Sequence, residues 1–162
     1  DNDVIHVLNT IRVADQLPLQ HAKPMKMIGR SVPVAWPQDG TAREKSGEQV
    51  SALYRKEGLN MLANHATWPQ GGVSTETGVM EMQDRITTGR LKVAAHLSDF
   101  FEEFRLYHRK DGMIVKERDD ILSALRVAIM MKRYAKPVTL GSGAIERRRG
   151  TIAQGVDFDI FG

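Results

Sequence analysis

The residues of this chain whose type and position point to catalysis are aspartates. Asp39 follows a short apolar segment, Val32 to Trp36, that we interpret as a buried strand, and it precedes a predicted helix. Open α/β sheets bind ligands beyond the carboxyl ends of their strands, which makes Asp39 a candidate functional carboxylate. The alternative is structural, because Asp39-Gly40 is also a common turn dipeptide.

A second acidic site lies at Asp119 and Asp120, which open the clearest predicted helix, Asp119 to Ala135. Acidic residues in a first helical turn interact favourably with the helix dipole, and that alone is a sufficient structural explanation. At helical spacing, however, Asp120 aligns with Ala124 and Ala128, small residues that let a helix pack closely on a sheet. A carboxylate directed at a sheet needs a partner, and a divalent cation is a natural one.

Aspartates from separate elements are suited to hard cations. Mg²⁺ and Mn²⁺ prefer oxygen ligands, and two such ions can activate a water and stabilise the leaving oxygen in phosphodiester cleavage. Other chemistries lack support: there is no cysteine, and the five histidines do not have the spacing of a zinc motif. The signatures of phosphate-binding loops, dinucleotide folds and serine hydrolases are also absent from the sequence.

Basic residues precede the acidic pair along the chain. Aromatic and basic side chains alternate around Arg105, and a hairpin is predicted with its turn at Lys110-Asp111-Gly112. The net charge of +3 and the pI of 9.3 are compatible with a polyanionic partner. The alternative is an ordinary solvated helix and hairpin. The candidate DNA contacts are Arg109, Lys110, Lys116 and Arg118.

Predicted strands and helices alternate, which indicates an α/β fold with a central mixed β-sheet flanked by helices. The length of 162 residues fits one domain, with no signal-peptide pattern or membrane-spanning run. The predicted strands are Val4 to Val13, Val32 to Trp36, Leu59 to Ala63 and Leu91 to Ala94. The predicted helices before the last one are Leu17 to Ile28 (a short helix, or one interrupted at Pro24), Thr41 (with a capping box to Glu44) to Lys56, Thr77 to Thr88, and a helix to about His108 that Ser98 caps.

The segment from Gly72 to Ala135 resembles the large terminase subunit of tailed bacteriophages, in particular the P22-like headful-packaging group. The resemblance is carried by the strand RLKVA at 90–94, the helix DFFEEF at 99–104, the hairpin RKDGM at 109–113 and the segment KERDDILSAL at 116–125. With less specific patterns upstream, it extends over about Val4 to Ala135.

The resemblance implies a ribonuclease H-like nuclease domain over residues 1–135, followed by a flexible basic tail at 136–162. Members of this family hold two Mg²⁺ or Mn²⁺ ions with acidic residues from the first strand, the end of the fourth strand and the last helix. By position the second residue maps to Asp39 and the third to Asp120, with Asp119 as the near alternative. The strand with the first acidic residue is expected before Val4, outside this chain, so we expect weak metal binding and slow cleavage.

The family also implies a function. It predicts a two-metal endonuclease that cuts concatemeric double-stranded DNA with little sequence specificity. The implied partners are DNA, the portal protein and the small terminase subunit, in the host cell cytoplasm with transient binding to the procapsid. Two alternatives stay open. One is a non-catalytic DNA- or portal-binding module, and the other is a ribonuclease or Holliday-junction resolvase on the same fold.

Overall fold

A computed structural model describes residues 3–110, 113–115 and 118–134. Helices form most of the regular structure in these ranges, and the strands are short. The α-helices are α1 Pro18–Ile28, α2 Val50–Lys56, α3 Thr75–Thr87, α4 Ser98–Leu106 and α5 Asp120–Met131. The strands are β1 Ile5–Val7, β2 Pro33–Val34, β3 Asn60–Met61, β4 Leu91–Val93, β5 Arg109–Lys110 and β6 Met113–Ile114. Two 3₁₀ turns lie at Gln38–Thr41 and Lys132–Tyr134.

The strands form pairs. β1 is parallel to β4, with Ile5 opposite Leu91, and β2 is parallel to β3, with Pro33 opposite Asn60. β5 and β6 form the predicted antiparallel hairpin, although its turn residues 111 and 112 lie outside the described residues. The mixed α/β class is therefore confirmed, and within the described ranges the strands form three two-stranded units instead of one continuous sheet.

Helix α5 is the central element of the core. Its apolar side chains are buried over most of its circumference, since they contribute to two clusters at once. One cluster joins Ile121, Leu122, Leu125 and Ile129 to Met82, Leu91, Leu97 and Phe100. The other joins Val127, Met130 and Met131 to Ala66. Asp120 is thus the first residue of a helix whose position the core determines.

Strand β1 is shorter than the apolar alternation predicts. The predicted strand reached Val13, but the observed one ends at Val7, whose carbonyl accepts a hydrogen bond from Ala94 N at 3.0 Å. Because β4 ends at Val93, the chain beyond Val7 has no strand partner in the described structure, and Leu8 is 70% exposed. Alternation alone does not make a strand where no neighbour accepts and donates its backbone hydrogen bonds.

The prediction that a helix begins at the Thr41 capping box is wrong. The Thr41 hydroxyl donates to the carbonyl of Gln38 at 2.8 Å and closes the 3₁₀ turn, while the helix begins at Val50. Between them the chain turns back at Gly47, whose φ of +81° belongs to the left-handed region that favours glycine. This turn is incompatible with a continuous helix from Thr41.

The other predicted elements agree with the structure to within a few residues. The prediction that Ser98 is the cap of α4 is wrong, because Leu97 occupies the N-cap position and Ser98 is the first helical residue. Within the part of the chain that the structure describes, none of the helices has the length and apolar character needed to cross a membrane. The predicted tail at 136–162 lies outside the described residues.

Candidate functional site around the start of helix α5

Asp120 lies at the exposed beginning of α5. Its side chain is 77% exposed, and its Oδ2 lies 3.6 Å from Nε of Arg12, in the irregular segment after β1. The next residues of its stripe, Ala124 and Ala128, line a groove of about 450 Å³. Asn9, Ile11, Val34, Ala35 and Leu62 lie on other walls of this groove. The alanine stripe therefore faces the space between β2 and the segment after β1, and Arg12 is the cation beside Asp120.

Glu103 on α4 reaches the same helix start from inside the protein. Its side chain is 0% exposed, and its Oε2 accepts hydrogen bonds from the backbone N–H groups of Ile121 at 2.8 Å and Leu122 at 3.3 Å. These are amides of the first turn of α5, which have no acceptor within the helix. Glu103 thus caps α5 from a neighbouring helix.

Asp119 occupies the N-cap position of α5 but does not provide that cap. Its side chain makes no capping hydrogen bond, and its Oδ2 accepts one from the Ser123 hydroxyl at 3.0 Å. The second oxygen of Glu103, Oε1, is buried without a hydrogen-bond partner in the described structure. Its nearest cation is Arg12, at 3.4 Å from Nε, an ion pair without hydrogen-bond geometry. The Arg12 guanidinium therefore stands between a buried carboxylate and an exposed one.

The electrostatic environment of Glu103 reflects this arrangement. Burial raises the pKa of the Glu103 carboxyl, and the negative charge of Asp120 adds to the increase. The two amide hydrogen bonds from α5 and the charge of Arg12 act in the opposite direction. The site thus contains two carboxylates and one guanidinium around the positive end of a helix dipole.

Asp39 lies on the 3₁₀ turn that follows β2, and it is exposed. The turn is anchored by Gly40, which is buried against the ring of Trp36, and Trp36 donates its Nε1–H to the carbonyl of Leu62 at 2.7 Å. This location beyond the end of a strand is the one predicted. Among the described residues, Asp39 does not belong to any group of three or more possible metal ligands.

A metal site is not complete in the described part of the chain. No three His, Cys, Asp or Glu side chains there lie close enough together to hold an ion. The donor types nevertheless suit Mg²⁺ or Mn²⁺, because Asp39, Asp119 and Asp120 all offer carboxylate oxygens and these ions keep several water or phosphate ligands. The donor atoms of these three residues thus fit such an ion in chemistry.

The predicted DNA contacts are described only in part. Arg118 has a φ of +52° and is paired with Glu102 of α4, with Nη1 3.0 Å from Oε1. Lys110 is exposed on β5. Arg109 is placed in β5, but its side chain lies outside the described residues, as does the whole of Lys116. Of the four predicted contacts, Lys110 and Arg118 are therefore the ones whose side chains the structure describes.

Sequence reasoning did not identify Glu103 or Arg12. A signal for Glu103 exists, since it shares the helical stripe of Phe100, Phe104 and Tyr107, where an apolar residue is expected. A carboxylate on such a stripe is almost never fully buried unless it is paired, so it indicates a specific partner. Arg12 has no comparable local signal, because its role depends on contacts with α4 and α5.

Comparisons with known proteins agree with this architecture. The profile of the family described as the terminase RNaseH-like domain matches residues 1–132. The large terminase subunit of Salmonella phage P22 is 43% identical over 138 residues, which cover 84% of this chain and 28% of that protein. That of Enterobacteria phage LP7 is 42% identical over 134 residues, with 82% and 28% covered. The chain thus spans little more than a quarter of these relatives.

A solved structure is also similar. It is described as the P22 large terminase nuclease domain, is 42% identical in sequence and superposes with a TM-score of 0.75. The match covers 82% of this chain and 70% of that one. The range matched by the family profile includes Asp39, Asp119 and Asp120, so all three candidate carboxylates lie within the shared domain.

Proposed function

This chain belongs to the terminase RNaseH-like domain family, and on that premise we propose that it is the metal-dependent endonuclease of a viral DNA-packaging motor. Its substrate is concatemeric double-stranded DNA, cut with little sequence specificity. The observation that carries the proposal is the likeness to the P22 nuclease domain, at 42% identity and a TM-score of 0.75.

In this proposal Asp39 and Asp120 hold two Mg²⁺ or Mn²⁺ ions, with Asp119 as the neighbouring alternative to Asp120. Two such ions, when bound, provide the activation of water and the stabilisation of the leaving oxygen that phosphodiester hydrolysis requires. The exposure of Asp120 leaves its carboxylate accessible to solvent and substrate. The positive end of α5 and the Arg12 guanidinium attract a phosphate backbone to the same place.

The basic residues around the hairpin bind the DNA backbone. Arg109, Lys110, Lys116 and Arg118 lead along the chain to Asp119, and contacts of this type to phosphates carry no sequence information. They explain a nuclease with little sequence preference. Within the whole polypeptide, the portal protein and the small terminase subunit are the further partners, in the host cell cytoplasm and at the procapsid.

A plasmid-nicking assay tests the proposal. Supercoiled DNA is incubated with Mn²⁺ or Mg²⁺ and with the wild type, Asp39→Ala or Asp120→Ala, and each replacement is expected to lower the rate on the order of 100-fold or more, since even outer-shell changes cost about 10- to 100-fold. Asp99→Ala is the matched control, because Asp99 is an exposed carboxylate in the first turn of α4. Cutting that persists in both Asp120→Ala and Asp119→Ala contradicts the proposal, whereas cutting that persists only in Asp120→Ala assigns the ligand to Asp119.

A second function is a non-catalytic DNA- or portal-binding module in which the aspartates are structural. It is favoured by one observation: both aspartates at the start of α5 already have partners within the fold, Ser123 for Asp119 and Arg12 for Asp120. DNA binding that is insensitive both to Mn²⁺ and to Asp120→Ala, in a wild-type chain that does not nick DNA, would support this function over the nuclease.

A further inference from the structure

We propose that Glu103 is a positioning residue for Asp120, orienting its carboxylate for metal binding by capping the first turn of α5 and by holding Arg12 beside it. The inference rests on the proposed function, because it assumes that Asp120 is a metal ligand. It adds a residue from a different helix to the site, and that residue touches neither metal nor DNA.

The first part of the inference, that Glu103 fixes the first turn of α5, rests on its capping contacts. Glu103 Oε2 is bonded to the amides of Ile121 and Leu122, the two residues directly after Asp120. The direction of the Asp120 side chain depends on the backbone of this turn. Since Asp119 at the N-cap position makes no capping bond, Glu103 is the side chain that satisfies these two buried amides.

The second part of the inference is that Glu103 holds Arg12 beside Asp120. Its Nε lies 3.4 Å from Glu103 Oε1 and 3.6 Å from Asp120 Oδ2, so the buried carboxylate holds the guanidinium against the exposed one. The 0% exposure of the Glu103 side chain places it behind Arg12, away from solvent. A direct role as metal ligand would require Arg12 to leave, whereas a positioning role uses the contacts as they stand.

A metal-binding measurement separates positioning from simple stabilisation. Mn²⁺ affinity is measured by isothermal titration calorimetry on the wild-type chain, Glu103→Gln and Glu103→Met, with the free energy of unfolding of each. Both variants lose the negative charge, but only glutamine keeps an oxygen that can accept from the two amides. Methionine keeps most of the volume, and replacing a buried charge in this way is often tolerated. Glu103→Leu is used if the methionine variant does not fold.

Asp3→Asn is the control for lost stability. Asp3 is bonded to Lys132, just past the end of α5, whereas Asp120 begins that helix. A helix of 12 residues separates the two ends by about 18 Å. This variant is therefore expected to lower stability without changing Mn²⁺ affinity.

The expected result is that Glu103→Met binds Mn²⁺ at least ~10-fold more weakly than Glu103→Gln, the range seen for residues that orient metal ligands. Wild-type affinity in both variants overturns the inference. An equal reduction in both overturns the capping part, because the two variants then share only the loss of the charge that holds Arg12. Asp120→Ala and Asp119→Ala separate failure of the inference from failure of the underlying proposal. If Asp120→Ala binds Mn²⁺ as tightly as the wild type, Asp120 is not a ligand and the inference fails. The proposed function fails as well if Asp119→Ala also binds as tightly.

Discussion

At the scale of single residues, Arg85 shows how this chain keeps a charge inside the fold. Its side chain is 1% exposed, and it donates from Nε to Glu81 at 2.8 Å and from Nη2 to the Asp3 carboxylate at 2.7 Å. The same carboxylate accepts from Lys132 at 2.5 Å. The bond from Lys132 is the largest influence, followed by that from Arg85, and together they lower the pKa of Asp3 to about 2.

The lowered pKa predicts a pH-dependent role in stability. Asp3 has a lower pKa in the folded chain than its ordinary value of 3.8, so its contribution is complete above about pH 4 and is lost as the pH falls through 2. Asp3→Asn is expected to reduce the free energy of unfolding by about 1 kcal/mol near pH 7, a modest value because the carboxylate is 53% exposed. Urea denaturation of wild type and variant near pH 7 and near pH 3 measures the difference, which should shrink at the lower pH.

Asp15→Asn is the matched control for this experiment. Asp15 is also exposed and also has a positive φ, 54° against 50° for Asp3, and asparagine tolerates that conformation. An equal loss of stability in the two variants, or a loss in Asp3→Asn that does not change with pH, would show that the ion pairs with Arg85 and Lys132 do not stabilise the fold.

The close approach of Gly40 to Trp36 predicts a second effect at a single residue. A Cβ at Gly40 would lie 2.6 Å from the Trp36 ring, so Gly40→Ala must displace either the ring or the turn that carries Asp39. We expect a loss of about 1–3 kcal/mol from overpacking, measured by urea denaturation, although alanine suits the backbone conformation. Gln38→Ala, at an exposed position of the same turn, is the control. Wild-type stability in Gly40→Ala would mean that Trp36 does not anchor the turn.

At the scale of elements, capping distinguishes two helices that both have serine near their start. Ser74 is the N-cap of α3, where its Oγ accepts a hydrogen bond from Thr77 N at 3.2 Å, whereas Ser98 is the first residue of α4 and makes no cap. Ser74→Ala is expected to cost about 1 kcal/mol in thermal or urea unfolding, because it leaves a helix-end donor unsatisfied. Ser98→Ala is expected to change stability by less than about 0.5 kcal/mol. Equal effects would contradict the assignment of the caps.

The helices could be predicted from the sequence because their signals are local. In α3 the periodic Val79, Met82 and Ile86 and the terminal Gly89 define the helix without reference to other elements. The false start at Thr41 arose from a local signal too, since the Thr41–Glu44 spacing fits a capping box. The helix does not start at Thr41 because the chain turns at Gly47 and the Thr41 hydroxyl is bonded back to Gln38. A rule based on residue spacing includes neither feature.

At the scale of the whole molecule, the site combines parts that are far apart in the chain. Arg12 comes from the segment after β1, Glu103 from α4 and Asp120 from α5. Asp39 could be selected from the sequence because it follows a predicted strand, and Asp120 because it lies at the start of a predicted helix. The family resemblance supported both choices. It did not allow Arg12 and Glu103 to be selected, because their importance follows from tertiary contacts that bring three separate segments to one helix start.

The charge of the molecule gives the last prediction, which concerns DNA binding. Each phosphate neutralised by a basic side chain increases the dependence of log affinity on log salt concentration by about 0.9 for duplex DNA. Lys110→Ala is therefore expected to reduce this slope by about 0.9, while Arg118→Ala reduces it less because Glu102 already pairs with Arg118. Fluorescence anisotropy with a duplex in EDTA, from about 50 to about 200 mM salt, measures the slope without cleavage. Lys23→Ala, which removes the same charge from an exposed position on α1, is the control. If it lowers the slope as much as Lys110→Ala does, net charge alone determines binding and the hairpin is not the DNA-binding surface.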